Sequence, residues 1–187
     1  MITRSPRTGA ISWAQGAVGD PDVVFLGPET TGLGAHAEIV DIAVIDRDGR
    51  VLMDTLVCPT RGIPREASNI HGILDHHVAR APGWNQVHIQ LMSILRGRRV
   101  IVFNAAYDQK MVRQCCSQFH LMPPSCAWEC AMLAYAEYVG ERSEWGRGYR
   151  WHKLEKAATA FGIVPGGHRA RADAEACRQV VLRMAMG

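Results

Sequence analysis

The chain has 187 residues, a length that fits one domain with a full hydrophobic core. Hydrophobic residues make up 48% and charged residues 21%, as in ordinary globular proteins, and no apolar run reaches the ~20 residues of a membrane helix. The net charge of +3 gives only weak support for a polyanionic partner. Residues 1–20 lack the continuous apolar core of a signal peptide, so we expect a cytoplasmic protein without membrane association.

Residues 8–18 predict a short amphipathic helix, which makes residues 1–20 an N-terminal extension of a single domain that spans residues 21–187. The expected apolar face of this helix carries Ile11, Ala14 and Val18.

Three strands are expected next, at residues 23–26, 38–46 and 51–58. Between the second and third strands, Asp48-Gly49 is a strong hairpin-turn signal. Tight connections of this kind predict an antiparallel meander.

Helical patterns and one more buried strand follow the meander. The helices are expected within residues 66–80 and at 84–95, 105–119, 129–139, 151–161 and 170–184, and the strand at 100–103. A meander followed by alternating helices and strands predicts a mixed sheet with helices packed against it.

Three acids and one histidine occupy positions where α/β folds place their sites, at strand ends and helix starts. Glu29 follows the first strand, Asp108 begins a helix, and His168 and Asp173 flank the start of the last helix. Carboxylates that meet in one cleft repel each other unless a divalent cation neutralises them, and oxygen ligands favour Mg²⁺ or Mn²⁺. A histidine beside them can deprotonate water, so the set suits metal-assisted phosphodiester hydrolysis. Taken singly, each residue is equally compatible with a solvated loop or helix position.

Together these segments resemble the three signature motifs of the DEDDh 3′-to-5′ exonucleases, in the same order. Within that family, the chain resembles the proofreading-subunit and ribonuclease T group. The matching residues are Glu29, Thr30, Thr31, Gly32 and Leu33 in the first motif, Asn104, Ala105, Tyr107 and Asp108 in the second, and His168, Ala170 and Asp173 in the third. Residues 66–73 are similar to the family's stretch after its third strand. The resemblance implies an α/β ribonuclease H-like fold, a five-stranded mixed sheet flanked by helices.

The resemblance also implies catalytic roles. Glu29, Asp108 and Asp173 would hold two divalent ions, Mg²⁺ or Mn²⁺, and His168 would be the general base for the attacking water. Glu29 and His168 are then the catalytic residues.

Substrate contacts are implied in the same way. Thr30 and Leu33 would contact the terminal nucleotide, and Asn104 and Tyr107 complete the matched substrate-binding positions. The substrate would be a single-stranded or frayed 3′ end of DNA or RNA, shortened to nucleoside monophosphates.

Gly27 departs from the family, which has an aspartate two residues before the glutamate. Alternation along a strand puts positions 27 and 29 on one face, so a ligand is missing, and Glu38 or Asp41 on the next strand is a conceivable replacement. Gly27 fits an engineered inactivating change, a natural degenerate enzyme or an active variant with altered metal use. An inactive module that binds nucleic-acid 3′ ends is therefore the alternative function. We also expect an aspartate at position 27 to fit and to restore activity.

Two groups of basic residues have different expectations. Arg96, Arg98 and Arg99 are expected on a solvated face. A second group mixes cations with aromatic rings, as single-strand binders do, although a structured loop with inward-facing tryptophans is equally plausible. It comprises Arg142, Arg147, Arg150 and Lys153 with Trp145, Tyr149 and Trp151. We expect Arg147, Arg150 or Trp151 to guide the strand.

The chain has six cysteines. Zinc binding by Cys126 and Cys130 is conceivable, but no nearby Cys or His pair completes a site. Small buried thiols are the preferred interpretation.

Overall fold

Five strands form one mixed sheet in the computed structural model, which describes residues 5–144, 146 and 148–187. The strands are β1 (Val23–Thr30), β2 (Ile39–Asp46), β3 (Val51–Leu56), β4 (Arg99–Val102) and β5 (Ala127–Cys130), in the spatial order β3-β2-β1-β4-β5. The first three are antiparallel, and β4 and β5 continue the sheet parallel to β1. This confirms the predicted α/β fold with a ribonuclease H-like five-stranded mixed sheet.

Helices cover both faces of the sheet. They are α1 (Pro6–Gly19), α2 (Arg65–His71), α3 (Asp75–Val78), α4 (Trp84–Leu95), α5 (Ala105–Gln118), α6 (Ala131–Val139), α7 (Leu154–Ala160) and α8 (Ala170–Met186). Side chains alternate along β1 and so contribute to two hydrophobic cores, one on each face of the sheet. Val23 and Phe25 pack with α1, α6, α7 and α8, whereas Val24 and Leu26 pack with α4 and α5. Among the described residues, no helix combines the length and hydropathy needed to cross a membrane.

The N-terminal helix α1 approaches its neighbours through small side chains. Ala10, Ala14 and Ala17 are buried in the core shared with α6 and α8, while Ile11 and Val18 are only partly buried. The predicted apolar face is therefore rotated, because alanines allow the closest contact between helices. The extension and domain boundaries themselves stay a prediction.

Several boundaries differ from the sequence-based expectation, among them the starts of α6 and α7. The first two residues of the helix expected at 129–139 belong instead to the short edge strand β5, which ends at Cys130. In this strand Glu129 pairs with Ile101 of β4. A four-residue, half-exposed strand carries too little alternation to be distinguished from a helix start. Helix α7 begins at Leu154, not at residue 151, because Lys153 is extended.

Strand β1 is longer than predicted, and this lengthening matters for the site. It continues through Gly27 and Glu29 to Thr30, opposite β2. Glu29 therefore projects from a sheet strand and not from a loop, which fixes its position relative to the helices above.

Candidate active site

The end of β1 and the start of α8 bring most of the predicted catalytic residues together. One ligand atom from each of Glu29, His168 and Asp173 lies within 4.8 Å of the others. Asp108, in the first turn of α5, is outside this group but lines the same cavity of about 160 Å³ as Asp173 and Gly27. Asp173 thus belongs both to the group with Glu29 and to the cavity that Asp108 lines, so the three predicted acids are neighbours although Asp108 does not converge with the other two.

The carboxyl groups in this cleft resist ionisation. Burial, then the negative charge of Asp173, raises the pKa of Glu29 to about 8, and the two side chains share a hydrogen bond. Burial raises the pKa of Asp108 to about 7, against the effect of a hydrogen bond from the Asn104 backbone N–H. Burial also raises the pKa of Asp173. Converging acids with raised pKa values fit a divalent cation, since oxygen ligands suit Mg²⁺ and Mn²⁺.

His168 reaches the cleft from the loop before α8. Its backbone is left-handed, with φ of 57°, after Gly167 with φ of 66°. The ring Nε2 lies 3.5 Å from Oε1 of Glu155 in α7. A Cβ at Gly166 would overlap the Asp173 carboxylate, so glycine there lets the loop close over this acid.

Gly27 lies against the first turn of α8, where the helix comes close to the backbone of β1. A Cβ at this position would overlap the carbonyl oxygen of Ala170 and lie 3.2 Å from the Ala174 nitrogen. Both atoms belong to the helix backbone, which cannot rotate away as a flexible side chain does. The expectation that an aspartate fits here is therefore wrong on steric grounds, unless the start of α8 moves.

The two acids considered as replacements are both engaged elsewhere. Glu38 accepts hydrogen bonds from the Thr60 N–H and hydroxyl, at 2.9 and 2.8 Å. Asp41 accepts from Arg169 Nε at 2.9 Å and from Ala170 N at 3.3 Å. In the described part of the chain, neither joins the group formed by Glu29, His168 and Asp173.

A larger pocket of about 430 Å³ adjoins Glu29 and contains three predicted substrate residues. The hydroxyls of Thr30 and Tyr107 are 2.6 Å apart, so one donates to the other. Both lie within hydrogen-bond distance of the Gly32 carbonyl oxygen, at 3.0 and 2.9 Å, which accepts from the hydroxyl whose proton is left. Leu33 and Ile70 expose apolar side chains at its rim. The pocket therefore combines apolar walls with a few fixed polar groups, as small-molecule sites do.

Ile70 and His71 on α2 are site residues for which sequence reasoning gave no role. His71 is buried, lines this pocket, and accepts a hydrogen bond at Nδ1 from the Ile73 N–H. The signal was present in residues 66–73, which matched a family segment without a function attached to it.

Asn104 stands at the N-cap of α5, but its side chain makes no capping hydrogen bond there. It lines the small cavity together with Leu154 of α7. The side chain is thus available to a ligand in the cleft.

The loop before α7 is described only in part, because Trp145 and Arg147 lie outside the described residues. Arg150 pairs with Glu141 at 2.9 Å. The Trp151 side chain is 64% exposed, so this tryptophan does not pack inward. Of the two expectations for this aromatic and basic group, Trp151 fits the solvent-facing one.

The cysteines are free thiols, and within the described residues none belongs to a group with metal-ligand spacing. Cys115, Cys116 and Cys177 are buried.

Comparison with known proteins agrees with this geometry. The sequence profile of the RNase_T family, described as exonuclease, matches residues 24–181. The uncharacterized exonuclease CP81 of Escherichia phage 186 is 39% identical over 176 residues, covering 90% of either chain. DNA polymerase III subunit epsilon of Treponema pallidum is 28% identical over 162 residues, covering 83% of this chain and 73% of the relative.

Among solved structures, the nuclease domain of 3′hExo, a DEDDh family member bound to rAMP, superposes with a TM-score of 0.72. It is 17% identical, and the match covers 88% of this chain and 91% of that one. The profile match extends from β1 into α8 and so includes all three segments that supply the acids and the histidine. The chain therefore belongs to the DEDDh exonuclease family.

Proposed function

We propose that this protein is a divalent-metal-dependent 3′-to-5′ exonuclease that removes nucleoside monophosphates from single-stranded nucleic-acid ends. The observation that carries the proposal is the convergence of Glu29, His168 and Asp173 within 4.8 Å, beside a pocket of about 430 Å³. Glu29 belongs to the group of converging residues and also lines the pocket. A nucleotide bound in the pocket would therefore have its phosphodiester next to the acids.

Glu29, Asp108 and Asp173 would hold Mg²⁺ or Mn²⁺, which when bound neutralises phosphate charge and lowers the pKa of water. His168 accepts the proton of the attacking water, since a neutral imidazole is a good base near pH 7. Oε1 of Glu155, 3.5 Å from the ring Nε2, helps to hold the imidazole beside the cleft.

The pocket supports recognition of a strand end. Leu33 and Ile70 offer apolar surfaces to a base, and the paired hydroxyls of Thr30 and Tyr107 face the sugar side. Its volume suits one nucleoside, which favours single-residue release over internal cleavage. Trp151 and Arg150 lie on a loop leading into α7, where a stacked base and a phosphate would be held.

Gly27 favours a second candidate function, a binding module that holds strand ends without cleaving them. The first aspartate of the family is absent, so the centre has fewer carboxylates to hold the metal ions that would stabilise the negative charge of the transition state. Glu29, Asp108, Asp173 and His168 favour the enzyme, since binding alone needs neither a base nor all three acids.

The direct test uses 5′-labelled single strands of DNA and of RNA, incubated with Mg²⁺ or Mn²⁺. We expect stepwise shortening from the 3′ end, blocked by EDTA and by a 3′-phosphate, with duplex ends cut more slowly. His168→Ala should lower kcat by about 10²–10⁴-fold. His120→Ala is the matched control, because His120 is also left-handed but lies at the opposite end of α5 from Asp108.

Tight binding of strand ends without any cleavage, under both metals, would support the binding module. Internal cleavage of a circular strand would contradict the exonuclease assignment. The DNA and RNA arms decide which nucleic acid is the preferred substrate.

A further inference from the structure

We propose that Asp41 is a positioning residue for the metal site: it fixes the start of α8, and with it the places of His168 and Asp173. The inference rests on the proposed function, because it concerns the geometry of the same cleft. It assigns a task to an acid that lies outside all three signature motifs.

Asp41 lies on β2 directly opposite Glu29 in the antiparallel pair. Its side chain is only 2% exposed, and Oδ2 accepts hydrogen bonds from Arg169 Nε and from Ala170 N. The first N–H groups of a helix have no partner within the helix, and Arg169, at the N-cap, supplies no side-chain cap. Asp41 therefore caps α8 from the sheet, through both the backbone and the adjacent guanidinium.

The rest of the first turn of α8 is held by close contacts. Gly27 lies beneath it, where a Cβ would overlap the Ala170 carbonyl oxygen. Gly166 lies over it, where a Cβ would overlap the Asp173 carboxylate. These two close contacts set the distance of the first turn of α8 from the sheet on one side and from the loop on the other. Neither contact prevents the turn from sliding parallel to the strands. Asp41 supplies that missing restraint with a directional hydrogen bond.

His168 and Asp173 flank the restrained residues, being two before and three after Ala170. A shift of the helix start would move both relative to Glu29, which is fixed in β1. Ligand geometry depends on such supporting contacts, and their loss typically weakens metal binding by about 10–100-fold. We therefore expect Asp41 to affect metal affinity without touching the metal.

The chain offers a matched control in Asp54. This acid lies on β3 and pairs with Arg171 of α8 at 3.6 Å, so it too links the sheet to the first turn. It is 37% exposed and makes no hydrogen bond to the helix backbone among those found in the described residues. Its removal deletes the same charge from the same neighbourhood and leaves the cap in place.

The experiment measures Mn²⁺ binding by calorimetry and by electron paramagnetic resonance in the wild type, Asp41→Ala, Asp41→Asn and Asp54→Ala. We expect Asp41→Ala to weaken binding by about tenfold or more. Asp41→Asn should recover part of that loss, because its amide oxygen can still accept from Ala170 N. Asp54→Ala should stay within about twofold of the wild type. In the exonuclease assay, Asp41→Ala should lower kcat and leave KM unchanged, since the nucleotide pocket is untouched.

The outcomes separate the two proposals. A wild-type protein that binds no Mn²⁺ would overturn the proposed function. Wild-type binding with equal affinity in folded Asp41→Ala, or a fall in melting temperature alone, would overturn the positioning role. If Asp41→Ala does not fold, Asp41→Leu decides, because leucine fills the buried site without an acceptor for Ala170 N: a wild-type Kd and kcat in that variant overturn the proposal.

Discussion

Two clusters of acids lie towards opposite ends of the sheet, and they have opposite electrostatic character. At the carboxyl end of β1, Glu29 and Asp173 share a hydrogen bond and have raised pKa values. At the amino end of β4, Arg99 donates to both oxygens of Glu129, at 2.8 and 3.0 Å, and to Asp20 at 2.9 Å. In the part of the chain that the structure describes, no arginine or lysine pairs with the acids of the first cluster, whereas the second is built around Arg99.

The pKa shifts follow this difference. Hydrogen bonds from Arg99 lower the pKa of Glu129 and of Asp20, whereas burial and mutual repulsion raise that of Glu29. Trp13 completes the second cluster with a 2.6 Å hydrogen bond from Nε1 to Glu129. A satisfied ion pair fixes structure, whereas buried acids that repel each other in a cleft are candidates for a ligand-binding site. The comparison thus separates an ion-paired structural cluster from the cluster for which we propose a catalytic role.

The largest expected effect is on activity. Glu29→Gln should lower the rate of exonucleolytic cleavage by about 10²–10⁴-fold, because it removes a ligand charge worth several kcal/mol. Glu129→Gln should leave the rate unchanged but lower the free energy of unfolding by about 1–3 kcal/mol, since it weakens charge-assisted hydrogen bonds. Nuclease assays and thermal melts on both variants measure the two effects. A Glu129→Gln variant that lost activity but kept full stability would contradict the assignment of a purely structural role to the Arg99 cluster.

The next effect is on stability at Gly27. Gly27→Ala should lower the free energy of unfolding by about 1–3 kcal/mol, because the new methyl group meets the backbone of α8. Gly16→Ala, at an open position of α1, should instead stabilise by about 0.5–1 kcal/mol. Chemical denaturation of both variants tests the contrast.

Gly27→Asp should destabilise at least as much as Gly27→Ala and should not restore activity. If Gly27→Asp melts like the wild type and binds Mn²⁺ more tightly, then α8 is free to move. Position 27 would in that case be a vacated ligand position and not a packing contact.

The last effect is the pH dependence of the metal-free protein. Glu29 has a folded-state pKa of about 8 against 4.5 in the unfolded chain, so its contribution is fully present below pH 4.5 and is lost as the pH rises through 8. Between pH 5 and 8 the wild type should lose a few kcal/mol relative to Glu29→Gln, at about 1.4 kcal/mol for each pH unit. Saturating Mn²⁺ should reverse that loss.

The paired cluster should show the opposite sign. The pKa of Glu129 is lowered, so its contribution is present above pH 4.5 and is lost as the pH falls. Melting curves across pH 4–9 in EDTA, for Glu29→Gln and Glu129→Gln beside the wild type, check both signs. Parallel curves for all three proteins would contradict the assignment of charges.

Much of the architecture was predictable from local pattern. The apolar run of β1, the Asp48-Gly49 turn and the periodicity of α4 each indicate one element, and their order predicts the mixed sheet. The motif order also indicated which acids meet. Local propensity and global fold agree in these places, as they do in sequences that fold to one structure.

The rest depended on contacts between distant residues. Nothing near Gly27 in the sequence shows that Ala170 lies against it, so the glycine looked only like a missing ligand. Arg99 was expected on a solvated face, yet its partners Asp20 and Glu129 come from other elements. The role we propose for Asp41 depends on the same kind of contact, across 128 residues to Arg169. Such pairings have no periodicity to reveal them.

The order of the elements along the chain has a consequence for folding. Glu29 lies on the first strand and Asp173 on the last helix, and α8 also packs on α1, where Gln15 donates to the Ala185 carbonyl across 170 residues. Contacts of such long sequence separation form late, because the entropy of closing the loop is lost before the contact gains stability. A chain that ends before residue 170 lacks Asp173, and it lacks the helix α8 that holds His168 in position. The nuclease centre therefore assembles only at the end of folding, and incomplete chains emerging from synthesis carry no active site.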